Sequence, residues 1–371
     1  MILQNPDGSE TYYAEIGDRT SKTLMLLHGI GADHAMWQPQ MQTYAQAGFH
    51  LLIPDLFGHG QSAKLGDITL SSWHNQITWL LTHCAVDTCT IMGVSMGGII
   101  AQSFVVEYPH RVENLVIADS FGELRTFEEK LLGFSQIIGF NLFSHMGRMG
   151  KQLLAQVMRH TYRASYAQAT QDYFENVCLT ADLNQLILAR KAINRIDVLE
   201  QLQAVAIPAL VIVGADLGQS FIHINQKIAE ALPKAEFIVL EQSMDPSNLV
   251  NPAAFDHQVL KFLNKKKTMA TQPLKAKKIK FLLVWIIANS IGGFLIGFLE
   301  NNGAQFMATL FFSGAIIGSL QWVVFRWMGT KGLQWTLWPI ASALGWIIST
   351  ALGSLPICLD SLIGTLVSQT G

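Results

Sequence analysis

The stretch "CTIMGVSMGGII" (residues 89–100) constrains the fold most. It holds Gly93-x-Ser95-x-Gly97, preceded by an apolar strand-like run and followed by a helical pattern. A chain can turn that sharply from strand to helix only where glycines remove the side-chain obstruction. The turn lifts the serine hydroxyl above the edge of a sheet, at the positive end of the following helix. A strand that is apolar throughout also demands cover on both faces, which means a parallel sheet between helices.

The neighbouring segments agree. Strand-like runs at 23–29 ("TLMLLHG"), 50–56 ("HLLIPDL"), "VENLVIADS", "PALVIVGAD" and "AEFIVLE" alternate with helical patterns. One of those helices is "TLSSWHNQITWLLTHC", with Leu70, Trp73, Ile77 and Leu80 on one face. The alternation breaks from 121 to about 202, where the pattern is wholly helical and contains "LLGFSQIIGFNLF". A helical insertion between late strands predicts a cap over the carboxyl edge of the sheet, where open parallel sheets bind ligands. Phe134, Ile137, Phe140, Phe143, Met146 and Met149 are the expected apolar lining of a pocket beneath it. The expected fold is thus α/β, a doubly wound, mostly parallel sheet with a helical cap, over residues 1–263.

Past that point the composition changes. The whole chain is 50% hydrophobic and only 14% charged. From Lys265 onward there are nine Lys or Arg against two acidic residues, whereas the part before it has 16 against 25. Residues 264–280, "NKKKTMATQPLKAKKIK", form a Lys-rich linker with seven lysines and no acid. Beyond it, 281–371 is expected to be a transmembrane α-helical bundle of three or four helices. The runs at 279–299, 304–325 and 335–352 approach the length that crosses a bilayer, and 355–367 is shorter and carries Asp360. The lysines before the first run, the polar "ENNG" after it and the basic "RWMGTKG" after the second place the N-terminal domain on the cytoplasmic side. With no row of ionisable residues in the runs, the tail is expected to be an anchor or a partner-binding bundle rather than a transporter. The acidic N-terminal part argues against nucleic-acid binding, which needs clustered cations. The N-terminus, "MILQNPDGSETYY", lacks a basic region followed by an apolar run, so no secretory leader is expected. Cys84, Cys89, Cys178 and Cys358 have neither CxxC nor zinc-ligand spacing and are expected to be reduced, buried thiols.

"LLHGIGADHAMW", "IPDLFGHGQS", "GVSMGG" and "YPHRVENLVIAD" stand in the order and spacing of one known family. From about residue 12 to 263 the chain resembles the α/β-hydrolases, in their small lactonase, esterase and peroxidase-like branch. The resemblance implies Ser95 as nucleophile and an oxyanion hole from the backbone N–H groups of Ile30 and Met96. It also implies no metal and no organic cofactor, and gives His28 and His59 loop-forming rather than catalytic roles.

The same resemblance places a histidine base in the loop "VLEQSMDPSNLVNPAAF", but this chain has none there, and aligning Pro252 and Phe255 with the family pattern puts Asp245 at that position. His257 falls on the following helix and His223 on the previous one. The acid of the triad is expected to be Asp216 or Asp119. Aspartate at its ordinary pKa of about 3.9 is a weak base. Two functions stay open. One is a membrane-anchored serine hydrolase acting on an apolar or lipid-like ester, lactone or thioester. The other is a non-catalytic binding or scaffold protein on the same fold, tethered to the membrane.

Overall fold

The computed structural model describes residues 1–265 and Ser319. Chain contacts set Met1–Lys265 apart as one unit from Lys266–Gly371. The three or four expected membrane spans lie outside the described residues. Among the described residues no helix is long and apolar enough to cross a membrane.

Eight strands form one sheet: β1 (Ile2–Gln4), β2 (Glu10–Ile16), β3 (Lys22–Leu27), β4 (Phe49–Pro54), β5 (Cys89–Val94), β6 (Val112–Ala118), β7 (Ala209–Gly214) and β8 (Ala235–Leu240). Their spatial order is β1-β2-β4-β3-β5-β6-β7-β8. Pairing is parallel from β4 through β8, while β2 joins β4, and β1 joins β2, antiparallel. The parallel runs were legible as apolar stretches; β1 and β2, polar and at the edge, were not.

Successive side chains of a strand point to opposite faces, and two cores follow from that alternation. Met25, Leu27, Ile91, Leu115, Ile117 and Val211 bury themselves on one face against Trp73, Ile77 and Leu80 of α2 (Leu70–His83) and Phe104 of α3 (Met96–Glu107). Leu24, Leu26, Leu51, Met92, Val116 and Leu210 face the other way. They pack on Trp37, on Tyr44 of α1 (Gln38–Gln46), and on Phe255 and Val259. Each large side chain buried this way contributes about 1.5–3 kcal/mol. Thr69 and Ser72 cap the start of α2 reciprocally, so it begins where its apolar face begins.

Between β6 and β7 stand five helices: α4 (Phe127–His145), α5 (Gly147–Thr161), α6 (Gln168–Thr180), α7 (Leu183–Ile193) and the short α8 (Leu199–Leu202). After β7 come α9 (Gln219–Ala231), β8, the short α10 (Ser247–Val250) and α11 (Pro252–Leu263). The cap is fastened to the sheet's loops by polar contacts. Tyr173 Oη donates to Asp33 Oδ1 (2.9 Å) and accepts from Asp33 N (3.0 Å). Gln185 exchanges two hydrogen bonds with the backbone of Leu65. The expected pocket lining is corrected in part. Phe140 and Phe143 pack with Leu154, Cys178 and Leu186 in a cluster that Ile30 of the loop after β3 also joins, while Phe134 and Met149 are exposed. Helical spacing alone did not say which face of α4 turned inward.

Candidate active site

Ser95 follows β5 directly and precedes the first turn of α3, at the point where the strand order reverses between β3 and β5. Its backbone has φ 54° and ψ −118°, a conformation that costs a non-glycine residue about 1–3 kcal/mol. The surroundings hold it there: Ser95 N donates to Ala118 O (2.8 Å), and Ser120 Oγ donates to Ser95 O (3.0 Å). The two glycines of the motif have separate jobs. A side chain on Gly93 would strike the backbone of Gly97, and one on Gly97 would strike the carbonyl of Leu27, so the elbow closes only without them.

Gly29 lies against the Ser95 side chain; a Cβ on it would stand 3.4 Å from the serine Cβ. The next residue, Ile30, is therefore beside Ser95. Neither the Ile30 N–H nor the Met96 N–H has a partner among the described residues. Two free donors flanking a serine hydroxyl, one at a helix N-terminus, make a place for developing negative charge. His28 builds this loop and has no freedom for other work. Its Nε2 accepts from Leu56 N (2.9 Å), which assigns the proton to Nδ1, donated to Gly29 O (2.8 Å). Burial pushes the imidazole of His28 down, and that of His59 down to about 3. Both are neutral, structural rings.

The loop after β8 carries Asp245 to Ser95. Tyr162 Oη, from the cap, donates to the backbone carbonyl of Asp245 (2.9 Å) and fixes it. Burial pushes the Asp245 carboxyl up to about 8, and the charge of Asp119 adds to that; the Ser95 hydroxyl at its carboxyl group and the charge of Arg190 pull the other way. Asp119 ends β6. Its Oδ1 accepts from Gly214 N (2.9 Å) and its Oδ2 from Ser247 N (2.6 Å). Burial raises Asp119 as well, but two backbone donors favour its anion. Of two interacting carboxyls, Asp245 is the one that holds the proton at neutral pH.

Asp216, the alternative acid, does not come to this cluster. It is exposed on a single 3-10 turn after β7, where the Tyr166 hydroxyl donates to its carboxylate. His223 and His257 are exposed on α9 and α11. No imidazole among the described residues hydrogen-bonds to Ser95. The sequence reading missed Arg190 of α7, buried with 4% of its surface exposed, whose charge reaches Asp245. A cavity of about 140 Å³ lies between the loops at Gly31 and Gly58 and cap residues Val177 and Leu186; Ser95, Asp245 and Arg190 are not among its lining. Among the described residues no group of His, Cys, Asp and Glu is arranged to hold a metal ion. Cys84, Cys89 and Cys178 are free and buried.

Known proteins share this frame. A 3-oxoadipate enol-lactonase from Acinetobacter baylyi is 26% identical over 259 residues, spanning 67% of this chain and 90% of that protein. A pimeloyl-[acyl-carrier protein] methyl ester esterase from Vibrio vulnificus is 25% identical over 256 residues, 65% of this chain and 94% of that one. The crystal structure of an enol-lactonase from Burkholderia xenovorans superposes with a TM-score of 0.63 at 21% identity, covering 71% of this chain and all of that one. The model of the alpha/beta hydrolase fold matches residues 22–252, so the chain belongs to the alpha/beta hydrolase fold family.

Proposed function

We propose that the chain is a serine hydrolase in which a half-buried aspartate stands where the family has its histidine, acting on an ester, lactone or thioester with an apolar body. The observation that carries this is Asp245 at the Ser95 hydroxyl, beside a strained elbow and two free N–H donors. The named activities of the lactonase and esterase relatives support the same class.

The chemistry follows from those groups. Ionised Asp245 takes the proton of Ser95 as Oγ attacks the acyl carbon. The oxyanion that forms accepts hydrogen bonds from the N–H groups of Ile30 and Met96. The new carboxylic acid then returns its proton to the leaving oxygen or sulfur, which gives an acyl-serine and the alcohol or thiol. Water, deprotonated by Asp245, then attacks the acyl-serine, and the proton passes from Asp245 to the departing Ser95 Oγ, which releases the acid and restores both groups. Desolvation keeps the Asp245 carboxyl basic, and the repulsion of Asp119 adds to it. A base held at about 8 works far better than one at the ordinary aspartate value, though below that pH most of it is protonated. Turnover is therefore weak at neutral pH and climbs through about pH 8.

A fluorophosphonate probe tests this on the full chain in detergent. Labelling at Ser95 that rises with pH and vanishes in Ser95→Ala is the expected result. No labelling at pH 9 would favour the second reading, a non-catalytic binding protein, which the proton on Asp245 at neutral pH supports. We also propose a membrane tether with the hydrolase unit on the cytoplasmic side, supported by the three long apolar runs and the lysines that precede them. A reporter fused within residues 300–303 should then be protected on the far side of the membrane from Ser95; a reporter on the same side refutes the topology.

A further inference from the structure

The six surface cations Arg19, Lys64, Arg125, Arg159, Lys227 and Lys265 each pair with a carboxylate. Arg190 is far more buried than any of them and has no such partner. Its Nε and Nη2 are sealed from solvent, and neither has a hydrogen-bond acceptor. Its neighbour Lys191 is exposed, so the helix presents the arginine inward by choice of position. The guanidinium lies over the Phe121 ring, with Cζ 5.4 Å from the ring centroid. The charge of Arg190 reaches Asp245, the carboxyl group that faces the Ser95 hydroxyl.

An unpaired buried cation is costly, several kcal/mol before compensation. A ring face returns only about 0.5–2 kcal/mol and satisfies no N–H. Asp245 does not balance the charge, since it carries a proton at neutral pH and makes no ion pair with Arg190. Burial lowers the guanidinium to about 10, so it remains a cation under ordinary conditions. Two adjacent N–H donors of one guanidinium, both vacant, match the two oxygens of a carboxylate.

We propose that Arg190 forms a subsite for a carboxylate on the substrate, so that the preferred ester, lactone or thioester carries a free carboxylic acid at the far end of its acyl part. This deepens the hydrolase reading and rests on it for the word substrate. A neutral ligand would leave the guanidinium's donors unmade, whereas a carboxylate would satisfy both and neutralise the site.

The experiment uses the full chain in detergent and two arms. In the first, mono-4-nitrophenyl glutarate is compared with 4-nitrophenyl valerate, which matches it in acyl length and lacks the charge. The half-ester should be preferred at least tenfold in kcat/KM, and in Arg190→Gln that ratio should fall towards one. In the second arm, calorimetry on the Ser95→Ala protein should show glutarate binding and glutaramide not. Glutarate binding should vanish with Arg190→Gln and persist, weaker, with Arg190→Lys. If Arg190→Gln does not fold, the glutarate–glutaramide comparison and Arg190→Lys still decide. Turnover of the valerate ester with no preference for the half-ester overturns the carboxylate subsite and leaves the hydrolase reading standing. Glutarate binding without turnover of either ester retires the hydrolase reading and keeps the anion site. Equal binding of glutarate and glutaramide, or binding of neither, overturns the subsite outright.

Discussion

Replacing Asp245 by histidine should convert a weak, alkaline hydrolase into a stronger, neutral one. With the carboxyl at about 8, roughly a tenth of it is ionised at pH 7. An imidazole near its ordinary value of about 6.5 is roughly three-quarters free base at the same pH. Ionisation alone thus gives a gain of about eightfold. The remainder depends on orientation. Asp119 uses Oδ1 for Gly214 N and Oδ2 for Ser247 N, and each oxygen keeps a second lone pair for an imidazole N–H. A positioned general base contributes about 10²–10⁴-fold, part of which the native carboxylate already supplies. The expected gain at pH 7 is therefore about 10- to 1,000-fold, and it should shrink by roughly the eightfold ionisation factor at pH 9. Steady-state hydrolysis of a 4-nitrophenyl ester, measured from pH 6 to 9.5 on the native chain, Asp245→His, and Asp245→His with Ser95→Ala, reads all of this. The native rate should climb through about pH 8 and the variant's more than a unit lower. A variant with unchanged melting temperature and no gain at pH 7 would refute the reasoning, as would a gain that survives Ser95→Ala.

Stability carries the same signature with a definite sign. Asp245 keeps its proton in the folded chain up to about pH 8 and in the unfolded chain only to about 3.8, so the native state binds the extra proton between those values and loses stability as pH rises. The Asp245→Asn protein should lack that decline, and melting curves at pH 5 and pH 9 should differ less for it than for the parent; identical pH dependence would remove Asp245 as the titrating group. Asp119→Asn should cost about 1–3 kcal/mol, because one of the two buried N–H groups of Gly214 and Ser247 loses its acceptor, and should lower ester turnover as well. Asp216→Ala, at an exposed turn, should stay within about 0.5 kcal/mol of the parent and leave the pH profile unmoved; a large loss of turnover there would return Asp216 to the site.

The parts of the site that sequence disclosed are those that local geometry forces. Gly93 and Gly97 sit where any side chain would collide with backbone, so the elbow can be read from the motif, and Ser95 with it. The strands were readable for a like reason: β5 is buried at every position, and only an unbroken apolar run survives there. The choice between Asp119 and Asp216 could not be read this way. Both end strands and both follow small residues, and what separates them is the loop after β8, which brings Ser247 N to one carboxylate and leaves the other to Tyr166 at the surface. That is a contact across 128 residues, set by loop path rather than by any local pattern. Arg190 was hidden by its company, since "LILARKAI" reads as an amphipathic helix whose basic residues face water. Only the packing of the cap shows that one of the two adjacent cations is buried. The two unreadable facts belong together. An aspartate that keeps its proton beside Asp119 leaves the buried guanidinium uncompensated, and a carboxylate entering beside Ser95 would supply the missing charge. A histidine at position 245, held by Asp119, would not change that requirement, so the preference for an acidic substrate should persist in Asp245→His even as its pH profile moves.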